Sequence, residues 1–153
     1  MNPPGNPTPG PARPPPPLPA RLILYDGVCG FCNRAVERVL RADAAGKFHY
    51  APLQGPTAAA VRGRHAEIPV DSDSIVYVCS TDATERVYVR ADALFRICAE
   101  LPRGWRLLAW LRWLPRGCTD LGYRLFAARR YHLFGRLDAC PLPPPGAAAR
   151  FLP

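Results

Sequence analysis

The apolar run Leu22-Ile23-Leu24-Tyr25 breaks at Asp26-Gly27 and leads directly to Cys29 and Cys32, two cysteines separated by two residues. No other stretch narrows the possible folds as far. An apolar run of this length, bounded by a turn signal, reads as a buried strand, and Phe31, Ala35, Val36, Val39 and Leu40 recur behind it at helical spacing. The cysteine pair therefore falls where a strand hands over to a helix. Unpaired N–H groups and the macrodipole at a helix N-terminus favour a thiolate, which makes Cys29 the candidate nucleophile. Cys32, one turn further in, is the candidate resolving thiol, placed to attack a mixed disulfide formed on Cys29.

Zinc binding and a structural disulfide are the competing uses of such a pair. A zinc site asks for a second Cys-x-x-Cys or a His-x₃₋₅-His downstream. His49, His65 and His132 are scattered singly, and Cys79, Cys98, Cys118 and Cys140 form no second close pair. A disulfide closing one helical turn restrains little of the unfolded chain. A redox dithiol is favoured, and no metal or bound cofactor is implied.

Asp26 has two readings. It is a carboxylate near the thiols that relays the proton of Cys32, or an Asx turn that holds the Val28 or Cys29 amide and shapes the loop. Gly30 and Phe31, between the cysteines, are the nearest candidates for substrate contact. Cys79 and Cys98 read as small apolar core residues.

At 153 residues the chain suits one domain able to bury a core without disulfide staples. Half of its first twenty residues are proline. Such a stretch cannot bury enough apolar surface to offset the entropy of ordering, and residues 1–20 read as a disordered tail before a domain at 21–153. That tail has no apolar run of signal-peptide type, so a cytoplasmic location is expected, where cysteines stay mostly reduced. The formal net charge of +8 comes almost wholly from arginine, Lys47 being the only lysine. The arginines are spread out rather than clustered with aromatic residues, so nucleic acid is not the expected partner.

Along the chain, a helix ends near 44–46, a strand covers 48–53 and a short alanine-rich helix 57–65. This strand-helix-strand unit implies two parallel strands. Strands at 74–79 and 86–89 read as an antiparallel hairpin, followed by a helix over 91–101. Beyond Pro102 two helices are expected, broken at Pro115. Trp105, Leu108, Leu111 and Trp113 form an apolar face that reads as core cover in preference to an interfacial membrane helix. The turn-rich end at 135–145 contains Asp138 and Cys140. It either folds back over the dithiol, making Cys140 a third exchange thiol or part of the substrate groove, or is tacked to the sheet by Phe134, Leu137 and Leu142 with Cys140 inert.

The stretch Leu22 to Asn33 resembles the signature of the DCC family of predicted thiol-disulfide oxidoreductases, whose Asp, Cys and Cys match Asp26, Cys29 and Cys32. KFHYAPLQ (Lys47 to Gln54), the hairpin region from Ser74 to Ala93 and RRYHLFGRLDACPLP (Arg129 to Pro143) resemble that family in the same order. The resemblance implies an α/β, thioredoxin-like fold (βαβαββα), here with a C-terminal helical extension, and disulfide reductase activity. The element order read from pattern is the one such a domain requires. Implied partners are a disulfide-containing protein or small-molecule disulfide and an external thiol donor. Most thioredoxin-like proteins place a cis-proline before the third strand, where neighbouring backbone pairs with substrate. Here Asp73 and Ser74 precede Ile75, and Pro69 lies too far back, so either Ser74 takes that place or the groove is built differently. The alternative function is a non-catalytic module of the same fold, docking an acidic protein or membrane surface through its basic C-terminal helices.

Overall fold

The computed structural model describes residues 18–68, 74–81 and 84–153. Strand β1 (Arg21–Tyr25) leads into helix α1 (Gly30–Ala42), then β2 (His49–Pro52), α2 (Pro56–Arg64), the hairpin β3 (Val76–Thr81) and β4 (Thr84–Val89), and α3 (Arg90–Glu100). The four strands form one mixed sheet in the order β2-β1-β3-β4. β1 pairs parallel with β2 and antiparallel with β3, which pairs antiparallel with β4. These elements lie within a few residues of those expected from the sequence, in the thioredoxin-like order.

β1 is apolar throughout because both its faces are covered. Ile23 and Tyr25 point into a core with Val36 and Val39 of α1, Tyr50 of β2, Tyr77 of β3, and Ala93 and Ile97 of α3. Leu22 and Leu24 point the other way, towards Ala58 and Val61 of α2 and Val76 and Val78 of β3. Full burial of side chains such as Ile23 or Ile97 contributes roughly 1.5–3 kcal/mol each. Cys98 is buried, and burial pushes its thiol up to about 11. Half-buried Cys79 packs against the core that holds Ile23 and Tyr25.

Leu18 packs against the second core, and the Ala20 carbonyl accepts the Ser80 N–H at 2.9 Å. Residues 18–20 thus join the domain instead of the proline-rich tail, whose remaining part, 1–17, lies outside the described residues. At the other end the chain returns to β2. Leu152 N–H donates to the Tyr50 carbonyl at 2.8 Å, and the Phe151 ring stacks on Tyr50 with centroids 5.0 Å apart. Phe151 and Leu152 tack the C-terminus to the sheet, while Leu142 is exposed.

The helical extension comprises α4 (Arg103–Ala109), a 3₁₀ turn (Trp110–Trp113) and α5 (Arg116–Phe134), broken at Pro115 as expected. The expected core-covering face does not form as a unit. Trp105 packs on the core, but Leu108 and Trp113 are 46% and 79% exposed. α4 lasts only seven residues before tightening into the 3₁₀ turn, whose three residues per turn carry a 3.6-period stripe off its face. No helix among the described residues is long and apolar enough to cross a membrane.

Candidate active site

The dithiol lies at the start of α1, immediately beyond β1. Cys29 is the N-cap residue, and its sulfur accepts the Cys32 N–H at 3.3 Å. The Asn33 side-chain amide donates to the carbonyls of Gly27 (2.8 Å) and Cys29 (3.0 Å), pinning the loop to the helix. This bond holds the Cys29 sulfur against the first turn of α1. Burial pushes the Cys32 thiol up, as do its hydrogen bond to and the charge of Cys29, while the Arg130 guanidinium pulls it down and Asp26 adds to the rise. All six cysteines are free thiols.

Asp26 is 1% exposed. Its Oδ1 accepts the Val28 N–H at 3.1 Å, which makes an Asx turn, and the Gln54 amide at 3.0 Å. Its Oδ2 accepts Arg130 Nη2 at 3.2 Å and the Tyr131 hydroxyl. Four donors converge on one carboxylate, so Asp26 also clamps the dithiol loop to β2's exit and to α5. Gln54 serves both sides of the turn, accepting the Gly27 N–H at 3.2 Å. Burial, with the Asp26 hydrogen bond, pushes the Tyr131 hydroxyl up to about 12. Arg130, 2% exposed, brings a buried positive charge to the thiols. Gln54, Arg130 and Tyr131 were not singled out from the sequence. Their only signal was membership of the KFHYAPLQ and RRYHLFGR stretches.

The C-terminal segment does fold back over the dithiol loop. Gly135, at φ 76°, ends α5 and turns the chain so that its carbonyl accepts the Gly30 N–H at 3.4 Å. Leu137 N–H donates to the Val28 carbonyl at 2.8 Å, and Arg136 bridges Cys29 in antiparallel fashion. Beneath this strap Cys29 has no exposed surface. Gly30 is matched to the strap: a Cβ there would lie 2.6 Å from the Phe134 carbonyl oxygen. Cys140 is exposed, and its sulfur lies 3.6 Å from the Tyr25 hydroxyl and beside Gly27, so it meets the loop at Asp26-Gly27. Asp138 is also exposed.

Half-buried Cys32 faces the other way, into a half-open cavity of about 440 Å³ lined by the sheet, α1, α3, the 3₁₀ turn and α5. Phe31 lines it too, its ring 4.7 Å from Phe126 and 4.9 Å from Phe134. Ser74 sits before β3, hydrogen-bonded to Tyr123, whose hydroxyl also accepts the Ile75 N–H at 3.2 Å. The backbone that would meet an extended substrate in other thioredoxin-like proteins is therefore bonded to α5. Among the described residues no peptide bond is cis; Pro69 and Asp73 lie outside those residues. No group of three His, Cys, Asp or Glu side chains among them is placed to hold a metal.

A dithiol capping the first helix of a four-stranded α/β domain defines the thiol-disulfide oxidoreductase class within the thioredoxin-like fold. Comparison with known proteins makes the assignment specific: the model of the DCC1-like thiol-disulfide oxidoreductase family matches residues 23–136, and the chain belongs to that family. It is 32% identical over 137 residues to the uncharacterized protein YuxK of Bacillus subtilis, covering 89% of this chain and 96% of that protein. It is 30% identical over 122 residues to the DCC family protein At1g52590, chloroplastic, of Arabidopsis thaliana, covering 79% of this chain and 69% of that protein. No solved structure matches.

Proposed function

We propose that this protein is a disulfide reductase in which Cys29 and Cys32 alternate between dithiol and disulfide, recharged by an external thiol donor. The observation that carries this is the Cys29 sulfur at the N-cap of α1, accepting the Cys32 N–H, with the Cys32 thiol hydrogen-bonded to it. Each turnover oxidises two thiols to one disulfide and reduces one substrate disulfide to two thiols. Asp26 keeps the loop in register, Arg130 supplies the nearby positive charge, and Phe31 and Ser74 border the space in which substrate is handled. In a reducing compartment such as the cytoplasm the resting form is the dithiol. The substrate is a disulfide-bearing protein or a small-molecule disulfide. The test is reduction of both kinds by the wild type and by Cys29→Ser and Cys32→Ser; each variant should lose multiple turnover, and full activity in either would overturn the reading.

A second reading, a non-catalytic module docking an acidic protein or membrane surface, has one observation in its favour: Trp110 and Trp113 are exposed beside Arg106 and Arg112. Binding of anionic vesicles through this face, with no disulfide turned over, would replace the enzyme reading.

A further inference from the structure

Resting on the dithiol reading, we infer that the substrate is a small, uncharged, apolar disulfide that enters the cavity behind Cys32 and is attacked first by that sulfur. A space of about 440 Å³ lies within the range of small-molecule sites and far exceeds the packing defects of a protein interior. Its walls include Ile23, Val36, Leu94, Phe95, Leu114 and Phe126, with Arg130 the only charged residue among the described lining residues. That guanidinium is already engaged by Asp26. Glutathione disulfide, with four carboxylates and two ammonium groups, would lose the hydration of those charges against walls offering few partners. An extended peptide meets a different obstacle, because the Ile75 N–H beside the site is bonded to Tyr123.

Access sets the order of attack. Cys29 is covered by the strap at 135–137, whereas Cys32 forms part of the cavity wall. The Cys32 thiol, which burial holds protonated, passes its proton to the Cys29 sulfur it is hydrogen-bonded to as it attacks one sulfur of R–S–S–R; the S–S bond breaks, and the departing RS⁻ takes that proton back from Cys29 as RSH. The Cys29 sulfur then attacks the Cys32 sulfur of the mixed disulfide, and the second RS⁻ leaves and takes a proton from solvent. Two thiols have become the Cys29–Cys32 disulfide and R–S–S–R has become two RSH. The external thiol donor of the preceding reading restores the dithiol. This order reverses the one expected from the helix N-terminus alone.

Gly122 of α5 provides the test. It lines the cavity, and a Cβ added there meets nothing within 4 Å. Leucine fills part of the space and suits a helix better than glycine does. Reduced protein carrying Cys118→Ser and Cys140→Ser is mixed with dipyridyl disulfide, glutathione disulfide or a disulfide-bridged peptide, and oxidation of Cys29 and Cys32 is followed by mass. Each rate is divided by that disulfide's rate with free cysteine, because the pyridine thiol is an activated leaving group; on that scale dipyridyl disulfide should react fastest and with saturation, and Gly122→Leu should slow it about tenfold or more while leaving the potential of the dithiol unchanged. Cys29→Ser should trap the adduct on Cys32. The inference is overturned, with the dithiol reading intact, if the peptide or glutathione disulfide reacts as fast, if Gly122→Leu changes nothing, or if Cys32→Ser traps instead. If no disulfide oxidises the pair, the dithiol reading itself fails.

Discussion

Replacing Asp26 with asparagine tests the clamp beneath the dithiol. The substitution preserves side-chain shape and the oxygen that accepts from Val28 and Gln54, but turns an NH₂ group onto Arg130 and the Tyr131 hydroxyl. Asp26 and Arg130 are 1% and 2% exposed, so the guanidinium would lose a buried carboxylate partner. Removing one partner of such a pair costs about 3–5 kcal/mol, where a surface pair would lose about 1 kcal/mol or less. Against a domain stability of about 5–15 kcal/mol this is a large fraction. Urea unfolding at neutral pH should show a lower midpoint with an unchanged slope. Asp26→Asn combined with Arg130→Met should recover part of the loss, because the buried charge that lost this carboxylate is gone. The same variants should shift thiolate formation at Cys32 in opposite directions, downwards for Asp26→Asn and upwards for Arg130→Met, since Asp26 raises and Arg130 lowers that thiol. A loss below about 1 kcal/mol, or thiol shifts of the same sign, would refute the clamp.

Gly30→Ala should destabilise the protein by about 1–3 kcal/mol and speed alkylation of Cys29, because the new methyl presses on the Phe134 carbonyl and lifts the strap; unchanged labelling would count against the strap as the cover. Stability should fall above about pH 8.5, where the unfolded thiol ionises but folded Cys32, held up by burial, keeps its proton. The folded state then binds more protons than the unfolded state, and Cys32→Ala should flatten this part of the urea-midpoint profile. A chain beginning at Leu18 should melt as the full chain does, whereas one beginning at Arg21 should lose about 1 kcal/mol with the Ser80-to-Ala20 bond and the Leu18 contact. Equal melting temperatures would place the domain boundary at Arg21.

The sheet and its first helices were legible because local signals agreed. β1 reads as an unbroken apolar run since both its faces are covered, and Cys29 at the N-cap follows from that strand meeting a helical period. The C-terminal extension was less legible. Trp105, Leu108, Leu111 and Trp113 share a helical stripe in sequence, but the 3₁₀ turn at 110–113 moves Trp113 outwards while Leu111 lines the cavity. Gln54, Arg130 and Tyr131 could not be found from spacing, since Arg130 lies 104 residues from the carboxylate it holds. The fold-back of the chain end was one of two readings that its turn-rich composition left open. Burial of Cys29 was not, because a helix-start argument describes the charge a sulfur can carry and says nothing of what lies above it.

The measurement that bears most directly on the central claim is a redox titration of the full chain, quenched by alkylation and read by mass at each cysteine. A single two-electron transition is expected, in which Cys29 and Cys32 lose their labels together while Cys79, Cys98, Cys118 and Cys140 remain thiols. Labelling of Cys29 and Cys32 at every potential, or pairing of either with Cys140, would contradict it.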